Sequence, residues 1–140
     1  MAYNKPFFAL YERFFLALQE EFGERGIEVW KKVMRDALVA AYRSSGAVEG
    51  GGMQEFMRHV GERDRALGLE VSFQAIEDGF IYRFHTDPFP GLRGKVDKKI
   101  VDDSYLSVKR DFFLGSGWSY ETTKHIWDGD ESSEHIFKKS

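Results

Sequence analysis

The chain of 140 residues contains no cysteine. This absence excludes disulfide bonds, thiolate metal sites and a cysteine nucleophile, and it leaves the redox compartment of the protein undetermined. Any catalysis or metal binding has to use other side chains.

The sequence also lacks a strong charge of one sign and a long hydrophobic run. Its formal net charge is −3, and the charged residues of both signs are interspersed, so no basic face is available for nucleic acid. No apolar run approaches the roughly 18 residues of a membrane span, and the N-terminus lacks the features of a secretory signal. We therefore expect no nucleic-acid partner, no membrane partner and a cytoplasmic location.

Hydrophobic residues make up 42% of the chain and aromatic residues 16%. This content, at this length, suits one domain with a single core, which we place over residues 1–140.

The first half of the chain has the apolar spacing of amphipathic helices. Apolar residues recur every three or four positions in three segments, from Pro6 to Phe22, from Ile27 to Ser44 and from Met53 to Leu67. The third stripe includes Asp64, while His59 falls beside it and is expected in solvent. The glycine-rich stretch 46–52 predicts a flexible loop.

Beyond Gly68 the period changes to two, which is typical of strands. The segments "LEVSFQA" and "FIYRFH" alternate around an "EDG" turn, and "DPFPG" ends the second strand. A fourth helix is predicted over 96–113, followed by a hairpin of "WSYETTKHIW" and "EHIFKK". We expect this hairpin to put Trp118, Tyr120 and Ile126 on one face and His125 and Trp127 on the other. The order ααα-ββ-α-ββ predicts an α+β domain, a mainly antiparallel sheet with helices on one face.

The acidic stretch "IWDGDESSEHIF" resembles the opening of a calcium-binding loop. The resemblance fails where the loop needs a glycine and a closing glutamate, since Ser133 and Lys139 occupy those positions. His125 and His135 offer a second alternative, two zinc ligands on neighbouring strands, but they lack a compact spacing motif. We expect a hairpin turn, no bound metal and no cofactor.

Two segments carry a resemblance to a known family. The sequences "LYERFFLALQEEFGERGIEVWKKVMRDAL" and "TKHIWDGDESSEHIF" are similar to the paired first helices and the closing hairpin of the L-2-amino-thiazoline-4-carboxylic acid hydrolase family. The order of elements matches over most of the chain, and the short motif is Gly129–Asp130. Vinyl-reductase-type and haem-nitric-oxide-binding-type small-ligand domains show a more distant likeness.

The chain departs from the family at both of the family's cysteines. By the resemblance, one cysteine falls on Ser133 and the other, which precedes a proline after the second strand, falls on Asp87. Serine and aspartate are much weaker nucleophiles than cysteine without an activating base. The resemblance therefore implies a small-molecule-binding domain without the family thiols or, alternatively, a hydrolase of a small heterocyclic amide-like substrate that uses His and Asp groups.

The candidate site lies between the helices and the sheet. The catalytic candidates are His85 and Asp87, two apart at the end of a strand, together with His125. The ligand-binding candidates are Phe84, Tyr105, Trp118, Trp127, Asp130 and Ser133. An aromatic residue that recurs at every second position of a strand is more often part of the core than of a binding site. A binding domain that catalyses no reaction therefore remains an alternative.

The second face of the sheet predicts a homodimer. Ile81, Trp127 and either Ile136 or Phe137 form too apolar a set to be left in water. The alternative is a contact through the first two helices, whose apolar stripes are widened by Phe8, Phe15 and Trp30.

Overall fold

The computed structural model describes residues 2–140, and the predicted element order is confirmed. The four helices are α1 (Lys5–Phe22), α2 (Glu24–Ser44), α3 (Met53–Ala66) and α4 (Lys98–Phe113). The four strands are β1 (Val71–Ile76), β2 (Gly79–Phe84), β3 (Trp118–Lys124) and β4 (Ser133–Lys139). None of the helices in the described part of the chain is long and apolar enough to cross a membrane.

Helices α1 and α2 form an antiparallel hairpin. Gly23 alone links them, with a φ of 57° that favours glycine. The helices then approach closely at Gly26, where an added Cβ would lie only 2.0 Å from the backbone oxygen of Leu18. The ring of Trp30 packs against Phe15 at 5.0 Å, which anchors the hairpin to the core.

The four strands form one antiparallel sheet in the order β1-β2-β4-β3. The predicted α+β class with an antiparallel sheet is therefore confirmed, and the helices cover one of its faces. Strands β2 and β4 occupy the centre, with Tyr82 opposite His135 and Phe80 opposite Phe137.

Alternation along the strands decides which side chains enter the core. On β2, Phe80, Tyr82 and Phe84 face the helices and are fully buried, whereas Ile81 and Arg83 face the other side. Burial of each large aromatic side chain contributes roughly 1.5–3 kcal/mol. The largest fully buried side chains are Trp30, Tyr42, Tyr82, Phe15, Phe56, Phe80, Phe84, Phe113, Phe137, Leu92, Leu106 and His135.

The second hairpin is shorter than its sequence predicts. Trp118 and Tyr120 face the helices as expected, packing on Phe80 at 6.1 Å and on Phe137 at 5.4 Å. The expected alternation of His125, Ile126 and Trp127 is wrong, because β3 ends at Lys124 and residues 125–132 form the connection.

Side chains replace the strand ladder in that connection. The backbone N–H of His125 donates to Asp130 and that of Ile126 donates to Ser133 Oγ, at 2.9 and 3.0 Å. These bonds satisfy backbone groups that a continuing strand would have paired, so the chain turns instead.

His59 is buried, and its expected solvent position is wrong. Only 6% of the residue is exposed, and its ring lies 3.5 Å from Glu55 and 3.5 Å from Ser45 Oγ. Helix α3 packs on both β1 and α4, so its buried arc is wider than the apolar stripe alone indicates.

The open face of the sheet is less apolar than expected. Phe137 faces the helices and Trp127 lies in the connection, so neither belongs to this face. Ile81 and Ile136 remain there as half-buried neighbours. Beside them Arg83 bonds Glu134 at 3.0 Å.

Candidate functional site

An apolar pocket lies between the α1–α2 hairpin, α3, α4 and the end of β2. Its volume is about 60 Å³. We name it the Lys109 pocket; its lining residues are Phe7, Phe8, Tyr11, Met34, Ala37, Leu38, Arg63, Asp64, Leu67, Leu69, Phe84, Pro88, Phe89, Tyr105 and Lys109. Ala37, Arg63 and Leu67 are half-buried, so the lining reaches the surface on the α2–α3 side.

Two buried charged residues of the lining, Lys109 and Asp64, meet at the hydroxyl of Tyr82. Lys109 Nζ donates to the hydroxyl of Tyr82 at 3.1 Å, and that hydroxyl donates in turn to Oδ2 of Asp64. Lys109 Nζ also lies 3.8 Å from Oδ1 of Asp64. Lys109 is 4% exposed and Asp64 5%, so the ion pair is held away from bulk water.

Burial shifts the protonation of this trio. Loss of solvent raises the pKa of the Asp64 carboxyl and lowers the pKa of the Lys109 amine, each shift being opposed by the charge of the other residue. The pKa of Tyr82 stands well above its usual value, because the phenol is buried and lies beside a carboxylate. Both shifts bring the pKa of the amine and the pKa of the acid closer together.

Aromatic rings surround the amine. Lys109 Nζ lies 5.0 Å from the ring centroid of Tyr105, 5.2 Å from that of Tyr82 and 5.6 Å from that of Phe84. Such ring faces attract a cation at this position. The rings therefore stabilise a positive charge on this nitrogen.

A second group of polar side chains lies behind the Lys109 pocket. We name it the Asp87 cluster; it consists of Asp87, Asp102, Tyr105, His125, Trp127 and Ser133. These residues surround a space of about 10 Å³, the room of about one water molecule. Phe84, Pro88, Phe89 and Tyr105 line both spaces and so separate them.

His125 is fully engaged in this cluster. Its Nδ1 accepts from the backbone N–H of Trp127 at 3.0 Å, so the ring proton resides on Nε2, which lies 3.0 Å from Oδ2 of Asp102. The other oxygen of Asp102 accepts from the hydroxyl of Tyr105 at 3.0 Å. His125 consequently has no free lone pair with which to act as a base in this arrangement.

Asp87 is the more accessible proton-transfer group. Its Oδ1 accepts from the N–H of Phe89 at 3.0 Å, and its Oδ2 accepts from Trp127 Nε1 at 2.8 Å. Partial burial raises the pKa of the Asp87 carboxyl against these hydrogen bonds. The residue is half-buried, which keeps it within reach of a ligand.

The positions where the family resemblance expects cysteines meet in this cluster. Asp87 follows β2 and Ser133 begins β4, yet both line the same small space. Ser133 Oγ accepts from the N–H of Ile126 at 3.0 Å.

The other sequence candidates lie elsewhere. His85 is exposed on the far side of the sheet, where its Nε2 lies 2.8 Å from Ser72 Oγ, and it forms no ion pair with Asp87 in residues 2–140. Trp118 packs on Phe80 away from both spaces. Asp130 is exposed and caps the N–H of His125. Of the nine candidates, Phe84 and Tyr105 line both spaces, and Asp87, His125, Trp127 and Ser133 meet around the smaller one.

A larger polar cleft of about 370 Å³ runs between the start of α4 and β3. Lys99 bonds Asp103 at 2.9 Å, and Lys98 pairs with Asp128. These exposed charges pair with one another, whereas the buried Asp102 and His125, which also line the cleft, belong to the Asp87 cluster.

The sequence-based prediction missed Lys109. A signal was present, because Lys109 lies four positions after Tyr105 and three before Phe112, on the apolar side of α4, and Asp64 belongs to an apolar stripe on α3. Charged residues at such positions are rarely buried unless paired. Two of them on different helices are therefore candidates for a buried ion pair.

Metal-binding geometry is absent from residues 2–140, where no three His, Asp or Glu side chains stand close enough to hold an ion. Comparison with models of known protein families gives no match. Comparison with curated proteins gives no significant match either.

Proposed function

We propose that this chain binds a small, mainly apolar molecule in the Lys109 pocket, as a relative of the L-2-amino-thiazoline-4-carboxylic acid hydrolase family that lacks the family thiols. The observation that carries this proposal is the pocket itself, an apolar space whose lining includes the buried Lys109–Asp64 pair. Binding sites are typically apolar concavities in which a few placed polar groups fix the ligand's orientation.

The volume of the pocket limits the ligand. About 60 Å³ is less than the ~300 Å³ at which drug-sized sites begin. The occupant is therefore a short aliphatic molecule, or the apolar end of a larger one that extends past Ala37 and Arg63 toward the surface.

Butan-1-ol is a suitable first ligand for NMR titration of the protein. We expect saturable chemical-shift changes at core residues that line the pocket, such as Phe8, Leu38 and Leu69. Ala37→Phe should abolish these changes by filling the space, because Ala37 lines it.

Ala40→Phe is the matched control. Ala40 lies on the same helix but is exposed, so this variant should keep the wild-type response. Equal responses from both variants, or no saturable change in the wild-type protein, would contradict binding in the Lys109 pocket.

A second candidate function is hydrolysis of a small heterocyclic amide-like substrate at the Asp87 cluster. It is favoured by the convergence of Asp87, His125 and Ser133 on one space. Asp87 would transfer the proton, because both ring nitrogens of His125 are already bonded. The small size of that space favours the first candidate.

The hydrolysis candidate is tested with L-2-amino-thiazoline-4-carboxylic acid as substrate. Activity that is lost in Asp87→Asn and retained in Ser133→Ala would support proton transfer by Asp87. Absence of turnover by the wild-type protein would remove this candidate and leave the binding proposal in place.

Self-association and a cytoplasmic location complete the proposal. Leu10, Phe14 and Phe22 are 70%, 41% and 62% exposed and recur along one side of α1. This apolar stripe on α1 supports a homodimer through the helices. Phe8, Phe15 and Trp30, the residues from which the sequence predicts that contact, are buried in the core.

A further inference from the structure

We propose that Lys109 captures short aliphatic aldehydes as an imine inside the Lys109 pocket. This reaction rests on the binding function proposed above and names its ligand class, a small carbonyl compound. The product is a covalent but reversible adduct on the amine.

The amine is set apart from every other lysine of the chain. Lys109 is the one buried lysine within residues 2–140, since the others are exposed or half-buried. The apolar lining of the pocket leads a hydrophobic reagent to this Nζ and to no other amine. Lysines activated for carbonyl chemistry are commonly desolvated in such pockets.

Asp64 and Tyr82 supply the proton that the reaction needs. A neutral amine is the nucleophile, and it forms when the proton of Lys109 moves to Asp64, which Tyr82 links to the amine. Burial lowers the cost of this transfer, because it disfavours the charged form of each group. Tyr82 stands between them, 3.1 Å from Nζ and bonded to the Asp64 carboxyl. The acid is therefore held beside the reacting nitrogen.

The reaction balances without a further reagent. The lone pair of Nζ attacks the carbonyl carbon, a C–N bond forms, and the π electrons of the carbonyl move to its oxygen. One proton from Nζ and one from Asp64, passed through the hydroxyl of Tyr82, leave with that oxygen as water. The product is a protonated imine paired with the Asp64 carboxylate, and nothing is oxidised or reduced.

The surroundings of the amine match this product. The protonated imine keeps the positive charge among the rings of Tyr82, Phe84 and Tyr105, which attract a cation there. A volume of about 60 Å³ corresponds to roughly four to six water molecules by the measure that gives one for the Asp87 cluster. An aldehyde with one short chain suits this space better than a ketone with two.

The test is trapping with butanal and sodium cyanoborohydride near neutral pH, followed by peptide mapping. The hydride converts the imine into a stable butyl-lysine. We expect one butyl group on the peptide that contains Lys109, formed at least about tenfold faster than on Lys32, because an exposed lysine is only roughly 0.1% neutral at this pH. Lys109→Met should lose this modification.

Three further variants control for a folding defect in Lys109→Met. The double variant Lys109→Met/Asp64→Asn removes both charges together, so it should fold. It has no amine at position 109 and should not be labelled there. Ala37→Phe retains the amine but fills the pocket, so it should suppress the labelling of Lys109, while Ala40→Phe should label like the wild-type protein.

The outcomes separate this inference from the binding proposal. Labelling spread evenly over exposed lysines, together with saturable binding of butan-1-ol in the pocket, would overturn the imine and leave the binding function standing. Failure of both butanal labelling and butan-1-ol binding would overturn the two together. Selective labelling of Lys109 that Ala37→Phe suppresses would support both.

Discussion

Lys109 and Asp64 form a buried ion pair between α4 and α3, with Nζ 3.8 Å from Oδ1. Each side chain is less than one-tenth exposed, and the hydroxyl of Tyr82 bonds to both. Because desolvation offsets much of the attraction in such a pair, its net contribution to stability is small, whereas one unpaired buried charge is costly.

Lys109→Met should therefore lower the free energy of unfolding by about 3–5 kcal/mol, since it leaves the Asp64 carboxylate without its counter-ion. Adding Asp64→Asn should recover most of this loss, because the amide still accepts from Tyr82. Urea denaturation of the two variants and the wild-type protein measures the difference. A double variant less stable than Lys109→Met would show that the pair stabilises the fold.

His135 should make the protein sensitive to mild acid. Burial lowers the pKa of its imidazole from 6.5 to about 4, so between these values the unfolded chain binds a proton that the folded chain does not. The free energy of unfolding then falls as the pH falls from 6.5 towards 4, by at most about 3 kcal/mol. Above pH 6.5 the imidazole is neutral in both the folded and the unfolded chain, so this loss of stability is absent.

His135→Phe should reduce that decline, because it keeps a ring beside Tyr82 and Phe84 but cannot take up a proton. Urea denaturation at a series of pH values measures the slope. Phe137→Leu is the control, since it removes core volume from the same strand and should lower stability equally at each pH. Identical slopes in His135→Phe and the wild-type protein would refute the assignment.

Gly26→Ala should force α1 and α2 apart. The added Cβ would meet the backbone oxygen of Leu18 at 2.0 Å, a contact that only a backbone shift relieves. We expect the overpacking to cost about 1–3 kcal/mol, and the preference of a helix for alanine over glycine to offset roughly 1 kcal/mol of this. Thermal denaturation measures the net effect.

Gly117→Ala is the matched control for that substitution. No atom lies within 4 Å of its added Cβ, so stability should change by no more than about 0.5 kcal/mol. An equal loss in both variants would mean that the close helix contact is not the cause.

A homodimer formed through α1 should dissociate in Phe14→Glu. Phe14 lies in the exposed apolar stripe of α1, and a carboxylate there would be buried without a partner. Ile81→Glu tests the alternative contact through the open face of the sheet. Sedimentation velocity of the wild-type protein as a monomer at micromolar concentration would reject both contacts.

The sequence by itself determined the elements and their order. Apolar residues that recur every three to four positions indicate a helix, and those that recur every two positions indicate a strand. These patterns are local, so they place all four helices and both hairpins within a few residues of their observed bounds. The alternation of Phe80, Tyr82 and Phe84 also identifies the buried face of β2, because neighbouring side chains on a strand must point to opposite sides.

Only the tertiary structure decided which polar groups meet. Tyr82 bonds Asp64 across 18 positions and Lys109 across 27, and no local period encodes such distances. The same holds for the end of β3, where bonds from Asp130 and Ser133 to the backbone stop a strand that the alternation would extend. A charged side chain inside a packed fold is tolerated only where a partner from another element neutralises it, and the packing of α3, α4 and β2 selects that partner.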